Sequence, residues 1–126
     1  MDPDYKDLYA RGKSIREHVL GAEHVQREIA DPSAFGTSFQ ELTTALAWGG
    51  VWYREGLGLR DRSLITVVLL AALGRPAELR MHLPGALRNG LTVLELEEAF
   101  IQMGLYAGFP ATVAANRVAR EVLGTA

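Results

Sequence analysis

Glu78 and His82 form the pair of side chains best suited to proton transfer. They are four residues apart on a predicted helix and therefore fall on the same face. Imidazole titrates near neutral pH, so His82 can donate a proton or stabilise an oxyanion. Glu78 can orient the imidazole or stabilise its charged form. The alternatives are an ordinary pair on a helix surface and a buried histidine that bonds to a backbone carbonyl.

The arginines could bind an anionic small molecule. All but two of the 13 basic residues are arginine, whose planar guanidinium group binds a carboxylate through two parallel hydrogen bonds. Arg75 and Arg80 flank the predicted helix of the Glu-His pair. Arg54 follows two tryptophans and a tyrosine, and a charge in such surroundings favours a pocket lining. Trp52 and Tyr106 are further candidates for ligand contacts, although aromatic residues more often belong to a core or an interface.

The absence of cysteine removes whole classes of chemistry. Without a thiol the chain cannot form disulfides, thiolate zinc sites, iron–sulfur clusters or a redox-active cysteine pair. The histidines, His18, His24 and His82, lack the spacing of metal ligands on one helix. Since no phosphate-binding loop or dinucleotide fingerprint is present either, we expect neither a metal nor a cofactor. A cysteine-free chain suits a reducing compartment, and we expect a cytoplasmic protein.

Charge and hydropathy limit the partners. The formal net charge is −2 and the basic residues form no stripe, which argues against nucleic-acid binding. The longest apolar run, Leu64 to Leu73, is roughly half of the ~20 residues that a membrane span needs. We therefore expect a buried helix there and no membrane contact. The acidic N-terminus is followed by no apolar segment, so we expect no targeting signal.

Helix start and stop signals recur along the N-terminal half. Asp2-Pro3 can begin a first helix, which Gly21 would end. Residues 22–33 predict a short helix and a loop. Residues 37–40 form a capping box that predicts the start of a third helix. The apolar face of that helix would consist of Phe39, Leu42, Ala45 and Leu46.

The C-terminal half carries the same kinds of signal. Asp61 is predicted to cap a helix from Arg62 to Leu73, which is apolar nearly all round and should lie at the centre of the domain. Three further helices are predicted from proline at helix starts, glycine at helix ends and a capping box. Their boundary signals are Pro76 and Asn89-Gly90, Thr92–Glu95 and Gly108, and Pro110 and Gly124.

No stretch shows the alternation of a strand or the turn of a hairpin. The sequence therefore predicts an all-α fold with six or seven helices in a single domain over residues 1–126. This length suits one compact domain, and a composition of 48% apolar residues suffices for a core.

Three stretches of the chain resemble the carboxymuconolactone decarboxylase family: Gly12–Val25, Phe39–Ser63 and Arg60–Gly124. The most specific pieces are AWGGVWYREGL, the spacing from DRSLIT to His82, Asn89-Gly90 and YAGFPA. The resemblance implies an alkylhydroperoxidase-like helical bundle. It also implies a homo-oligomer, as a trimer or a hexamer.

The chain departs from the wider fold family at the positions that carry redox chemistry. Peroxidases of that fold use a Cys-x-x-Cys pair and a following histidine. Here Arg75 and Glu78 stand at the cysteine positions, His82 is retained, and Ser63 stands where the peroxidases have a glutamate. Because no thiol can attack a peroxide, the chain is not a thiol peroxidase. Pro84 departs from the expected family pattern as well, and we expect it to kink the helix beside His82.

The resemblance implies cofactor-free decarboxylation of 4-carboxymuconolactone to 3-oxoadipate enol-lactone in the 3-oxoadipate pathway of aromatic catabolism. It favours His82 as the proton donor or oxyanion partner, with arginines on the substrate carboxylates. Arg16 and His24 belong to an N-terminal pattern that can cover a pocket; a histidine at a helix end in a solvated loop is the alternative. Two other interpretations stay open: a related decarboxylase or isomerase for another small carbonyl acid, and a non-catalytic ligand-binding oligomer.

Overall fold

The chain is all-α, as predicted. The computed structural model describes residues 4–30 and 35–124, and within these ranges the chain forms seven α-helices, one π-helix and no strand. In chain order they are α1 (Tyr5–Leu20), α2 (Ala22–Ala30), α3 (Thr37–Thr43), the π-helix (Thr44–Trp52), α4 (Leu59–Ala72), α5 (Pro76–Arg88), α6 (Val93–Ala107) and α7 (Phe109–Leu123).

Most helix boundaries of the C-terminal half are confirmed. Thr92 caps α6 through its hydroxyl, which accepts from the Glu95 N–H at 3.0 Å, and the Glu95 carboxylate accepts from the Thr92 N–H in return. Pro76 occupies the first turn of α5, where its missing N–H leaves no bond unmade. Gly74 and Gly90 follow α4 and α5 with φ of 70° and 100°, a conformation that favours glycine.

Two predicted helix starts are wrong and one lies outside the described residues. Gly58, not Asp61, precedes α4, and Asp61 lies in the first turn, where a carboxylate also suits the positive end of the helix. Gly36, not Thr37, is the N-cap of α3, so the predicted capping box does not form. The predicted start at Asp2-Pro3 lies outside the described residues; α1 begins after Asp4, whose carboxylate accepts from the Asp7 N–H at 2.9 Å.

The third helix differs most from its prediction. After Thr43 the backbone widens into the π-helix, whose hydrogen bonds join residues five apart. The predicted apolar face is not buried: Phe39 is 66% exposed and Leu46 is 50% exposed, while Ala45 is fully buried. The wider turn changes which side chains share a face, so a face derived from α-helical spacing does not apply.

Contacts divide the chain into two compact units, one ending at Leu57 and the other beginning at Gly58. In the first unit α1 packs against the π-helix, and the two backbones approach very closely at Gly12 and Gly49. A Cβ on Gly12 would lie 2.0 Å from the Thr44 carbonyl oxygen, so only glycine fits. That residues 1–126 form one domain stays a prediction.

The second unit is built on a core of apolar side chains contributed by α4, α5, α6 and α7. Its fully buried members include Val67, Leu79, Leu83, Leu96 and Phe100. The prediction that α4, which is apolar nearly all round, lies at the centre of the domain is wrong, because one of its faces is exposed. It buries one face against its three neighbours, whereas Ile65 and Leu69 on its other face, and the C-cap residue Leu73, are 46–69% exposed.

Candidate functional site

Helix α5 positions the Glu-His pair. The helix buries Leu79, Leu83 and Ala86 against the core, three residues at spacings of four and three that mark its inner face. His82 lies beside this face and is half-buried, with its Nδ1 atom inaccessible to solvent. Glu78 is exposed one turn earlier. One imidazole nitrogen is therefore enclosed by protein, while part of the side chain is accessible to solvent.

Pro84 does not end α5. The helix continues through it to Arg88, although proline removes the N–H that would bond to the Arg80 carbonyl. His82 therefore stays on a continuous helix, two residues before the proline.

Arg80 is already engaged by a carboxylate of the protein. Its Nε donates to Glu121 on α7, and both side chains are about half exposed. A substrate carboxylate at Arg80 would have to compete with Glu121 or share the guanidinium group with it. Since an exposed ion pair typically contributes only about 0–1 kcal/mol, such an exchange is energetically accessible.

Arg75 lines a small apolar cavity in the second unit. The cavity has a volume of about 230 Å³ and lies between the end of α4, the start of α5 and α7. Its walls are apolar apart from Arg75, which is exposed. A second cavity of about 170 Å³ lies between α6 and α7 and includes Glu97, Asn116 and Arg120. His82 lines neither of these two cavities.

Tyr106, another predicted ligand contact, is highly exposed. It lies in the last turn of α6 with 82% of its surface accessible. The alternative reading as a core tyrosine is therefore wrong, and its hydroxyl is available to a partner or a ligand.

The π-helix of the first unit carries the aromatic candidates. Trp52 is half-buried and stacks on Trp48, with ring centroids 4.7 Å apart and planes inclined by 23°. Arg54 follows the end of the π-helix, and its side chain is exposed. Its backbone N–H donates to the Val51 carbonyl at 3.0 Å, which closes the segment with a tight turn. The tryptophan stack thus lies within the π-helix, and Arg54 lies in the turn directly after it.

Arg16 is a buried cation. Only 6% of its surface is exposed, and Nη1 donates to Thr44 Oγ1 at 3.0 Å. The threonine hydroxyl donates in turn to the Gln40 carbonyl at 2.7 Å. Burial lowers the pKa of the Arg16 guanidinium from its ordinary value, while the negative charge of Glu28 acts in the opposite direction. Among the described residues, Nε of Arg16 is enclosed by protein and has no hydrogen-bond acceptor.

His24 belongs to the same polar cluster. Its Nε2 lies 3.8 Å from the carboxylate of Glu28, one turn later on α2. The other carboxylate oxygen of Glu28 accepts from Gln40 Nε2 at 3.1 Å. The side chain of His24 is about one-quarter exposed. The structure thus brings Arg16 and His24 into one network around Glu28 in the first unit.

Sequence reasoning missed several polar side chains that fix the elements around these candidates. Arg11 donates from Nε to the Gly49 carbonyl at 3.0 Å. Ser63 accepts from Asn89 Nδ2 at 2.8 Å, a bond that ties α4 to the end of α5. No sequence motif marks these contacts, because each joins residues at least 26 positions apart.

The described ranges, 4–30 and 35–124, contain neither a candidate metal site nor a candidate membrane span. No three of their histidine, aspartate and glutamate side chains converge in a geometry that could hold a metal ion. None of their helices combines the length and the apolar character needed to cross a bilayer.

Comparison with known proteins places this geometry in context. Residues 37–121 match the carboxymuconolactone decarboxylase family. The chain is similar to the 4-carboxymuconolactone decarboxylase of Acinetobacter baylyi, with 46% identity over 114 residues that span 90% of this chain and 85% of the relative. It is also similar to a nitrosuccinic acid decarboxylase of Metarhizium robertsii, with 36% identity over 122 residues that span 97% of this chain and 85% of the relative.

Proposed function

Because this chain belongs to the carboxymuconolactone decarboxylase family, we propose that it decarboxylates 4-carboxymuconolactone to 3-oxoadipate enol-lactone. The similarity to the Acinetobacter enzyme over nine-tenths of the chain is the observation that carries this proposal. The pathway context would be the catabolism of aromatic compounds through 3-oxoadipate. The absence of any cysteine supports a reaction other than thiol peroxidation.

The substrate supplies its own electron sink. The carboxylate that leaves 4-carboxymuconolactone sits on a carbon joined through a double bond to the lactone carbonyl. As the bond to carbon dioxide breaks, its electron pair spreads into that carbonyl to form a dienolate, and a proton then adds to carbon. The protein has to bind the carboxylates, stabilise the oxyanion and deliver the proton. We therefore propose that the reaction uses no cofactor and no metal.

His82 is the proposed proton donor or oxyanion partner, with Glu78 orienting it. The half-buried position of His82 on α5 supports this role, because one ring nitrogen is enclosed by protein while the side chain retains access to solvent. A positioned general acid typically contributes about 10²- to 10⁴-fold to a rate, and one donor aimed at an oxyanion about 3 kcal/mol.

Arginines are the proposed partners of the substrate carboxylates. Arg54 is the first choice, because it is exposed and follows directly on an ordered aromatic element. Arg75, the N-cap residue of α5, and Arg80 on α5 are further candidates. The remaining proposed substrate contacts are Trp52, Tyr106, His24 and Arg16.

We also propose that the protein is a cytoplasmic homo-oligomer, a trimer or a hexamer. Exposed apolar side chains spaced four residues apart, Ile65 and Leu69 on α4 and its C-cap residue Leu73, support association between copies, since monomers rarely leave such a stripe in water. Light scattering should give a mass three or six times that of the 13.8 kDa chain. A monomeric mass would overturn the oligomer.

The Metarhizium relative favours a second candidate function. Nitrosuccinic acid, the compound in its name, carries two carboxylates and a nitro group. When a carboxylate on the carbon that bears a nitro group is lost as carbon dioxide, the electron pair of the broken bond is taken up by the nitro group as a nitronate. Groups that bind carboxylates, stabilise negative charge and deliver a proton would therefore serve this reaction as well. The second candidate is therefore decarboxylation of a small dicarboxylate whose electron sink is not a lactone carbonyl.

The two candidates are separated by one assay on purified protein dialysed against a chelator. We expect loss of the ultraviolet absorbance of 4-carboxymuconolactone, with one carbon dioxide released for each lactone consumed, and an unchanged rate after chelation. Turnover of nitrosuccinate alone would favour the second candidate. No turnover of either acid, together with a melting temperature raised by the ligands, would identify a binding protein and contradict both.

A further inference from the structure

We propose that Arg11 is a positioning residue, which fixes the last turn of the π-helix and thereby the place of Arg54. This inference rests on the proposed function, because it takes Arg54 as a partner of a substrate carboxylate. Arg11 lies on α1, and its side chain contacts the π-helix segment at two points, the carbonyl of Gly49 and the ring of Tyr53.

The first contact replaces a backbone hydrogen bond to the Gly49 carbonyl oxygen. In a continued π-helix the Arg54 N–H would bond to the carbonyl five residues earlier, that of Gly49. It bonds instead to the Val51 carbonyl at 3.0 Å. Nε of Arg11 donates to the Gly49 oxygen at 3.0 Å and so replaces the backbone donor. A hydrogen bond from a charged donor is among the stronger side-chain interactions.

The second contact fixes the residue directly before Arg54. The guanidinium carbon of Arg11 lies 4.2 Å from the centroid of the Tyr53 ring, well within the range of a cation–π interaction. Tyr53 is half exposed and contributes little burial of its own. One arginine side chain therefore holds both the last part of the π-helix and the first residue after it.

Helix α1 is a rigid support for this side chain. Next to Arg11, Gly12 lies so close to the π-helix that a Cβ would come within 2.6 Å of the Gly49 N atom. At the other end of the π-helix Arg16 donates to the Thr44 hydroxyl. Because α1 contacts the start, the middle and the end of the π-helix, a substitution at Arg11 releases only the end that carries Arg54.

This position predicts a change in substrate affinity rather than in chemistry. If Arg54 binds a carboxylate that is present in both the substrate and the transition state, its displacement weakens both states equally. Loss of such uniform binding raises KM and leaves kcat unchanged. A general effect on folding would lower the yield and the melting temperature without this separation.

The test compares Arg11→Met and Arg11→Lys in the full-length protein, with Arg27→Met as the control at an exposed arginine on α2. For Arg11→Met we expect KM for 4-carboxymuconolactone to rise about tenfold, because a charged hydrogen bond and a cation–π contact are both lost. We expect kcat to stay within about twofold. Arg11→Lys should rescue part of the increase in KM, since one ammonium group can serve one of the two contacts at a time.

A double-mutant cycle with Arg54→Met shows whether Arg11 acts through Arg54. In the Arg54→Met background, Arg11→Met should raise KM by less than about twofold, because the group it positions is gone. Near-ultraviolet circular dichroism should also change in Arg11→Met, since Trp52 of the tryptophan stack lies in the released turn.

The outcomes of these experiments distinguish failure of the proposed function from failure of the proposed role of Arg11. An inactive wild-type protein would overturn the proposed function. An active protein in which Arg54→Met keeps its KM would overturn the assignment of Arg54. If Arg54→Met raises KM, then an unchanged KM in Arg11→Met, or multiplied effects in the double variant, would overturn the role of Arg11.

Discussion

The unit that ends at Leu57 and the unit that begins at Gly58 achieve close packing by different means. In the first, two helices meet backbone to backbone at Gly12 and Gly49, and a buried Arg16 bonds across the contact. In the second, four helices meet through apolar side chains around Phe100. Backbone atoms fill the space between helices in the first unit, whereas apolar side chains fill it in the second.

That difference decides which substitutions each unit tolerates. A side-chain core loses stability when a side chain is shortened, because a cavity remains. A backbone contact loses stability when a side chain is added, because nothing there can move aside without separating the helices. The first unit should therefore be sensitive to small additions and the second to large deletions.

The largest effect is expected in the side-chain core. Phe100 is 1% exposed, and Phe100→Ala should lower the free energy of unfolding by about 3–5 kcal/mol. Phe39→Ala is the control, because Phe39 is 66% exposed and fills no core. Urea denaturation followed by circular dichroism measures both. If both variants lost the same free energy of unfolding, burial of Phe100 would not be the main cause of the destabilisation.

The matching test of the backbone contact adds one methyl group. A Cβ on Gly49 would lie 2.0 Å from the Leu8 carbonyl oxygen, whereas a Cβ on Gly50 would find only the Ala45 carbonyl oxygen at 3.8 Å. Gly49→Ala should destabilise by about 1–3 kcal/mol or more, as overpacked positions do. Gly50→Ala should be neutral or slightly stabilising, because alanine favours a helix. Similar melting temperatures for the two variants would contradict the close approach.

A smaller effect is expected at the start of α6. Thr92→Ala removes the hydroxyl that accepts from the Glu95 N–H, and loss of such a cap costs about 1 kcal/mol. Thr92→Ser keeps the acceptor and is the matched control. Thermal melting should rank Thr92→Ser above Thr92→Ala; the opposite order would mean that the cap contributes nothing.

The smallest effect is a pH dependence at Glu95. Its hydrogen bond from the Thr92 N–H, and then the Arg60 guanidinium, hold the pKa of this carboxyl below its ordinary value. A carboxyl whose pKa is lower in the folded protein than in the unfolded chain stabilises the folded protein at a pH above the unfolded-state pKa of about 4.3. This contribution is lost as the pH falls through the folded-state pKa. Glu95→Gln should therefore reduce the acid sensitivity of the melting temperature below about pH 4. Identical pH profiles would refute the linkage.

The sequence was most informative where a boundary depends on one or two neighbouring residues. Pro76, Gly90 and the Thr92–Glu95 box each act locally, and each marks the boundary that was predicted from it. Asp61 shows the limit of such signals. An aspartate stabilises a helix start as a cap or within the first turn, so its presence does not fix the first residue.

The π-helix could not be predicted from the sequence, and the reason is physical. Gly49 appears locally as a residue that weakens a helix, whereas in the structure it allows α1 to approach closely. The partner of that contact lies in another part of the chain, and no local pattern records it. The wider helix begins between Phe39 and Leu46, so these two side chains do not form the single buried face that was expected.

The candidate side chains could be selected from the sequence by their chemistry, but the contacts that each of them makes in the fold could not be predicted from it. Sequence alone placed Arg80 near His82 but gave no sign that Glu121 on α7 binds Arg80. It singled out Arg54 among aromatic residues but not Arg11, which contacts Tyr53 directly before it. Pairs of this kind depend on how helices pack, which becomes visible only in the folded chain.

The most direct test of the account measures carbon dioxide released from 4-carboxymuconolactone by the wild-type protein, His82→Ala and His18→Ala. His18 is an exposed histidine on α1 and controls for loss of an imidazole. We expect turnover by wild type and His18→Ala without added cofactor, and a loss of at least about 100-fold in His82→Ala with its melting temperature kept. A His82→Ala variant that turns over at the wild-type rate would contradict the account.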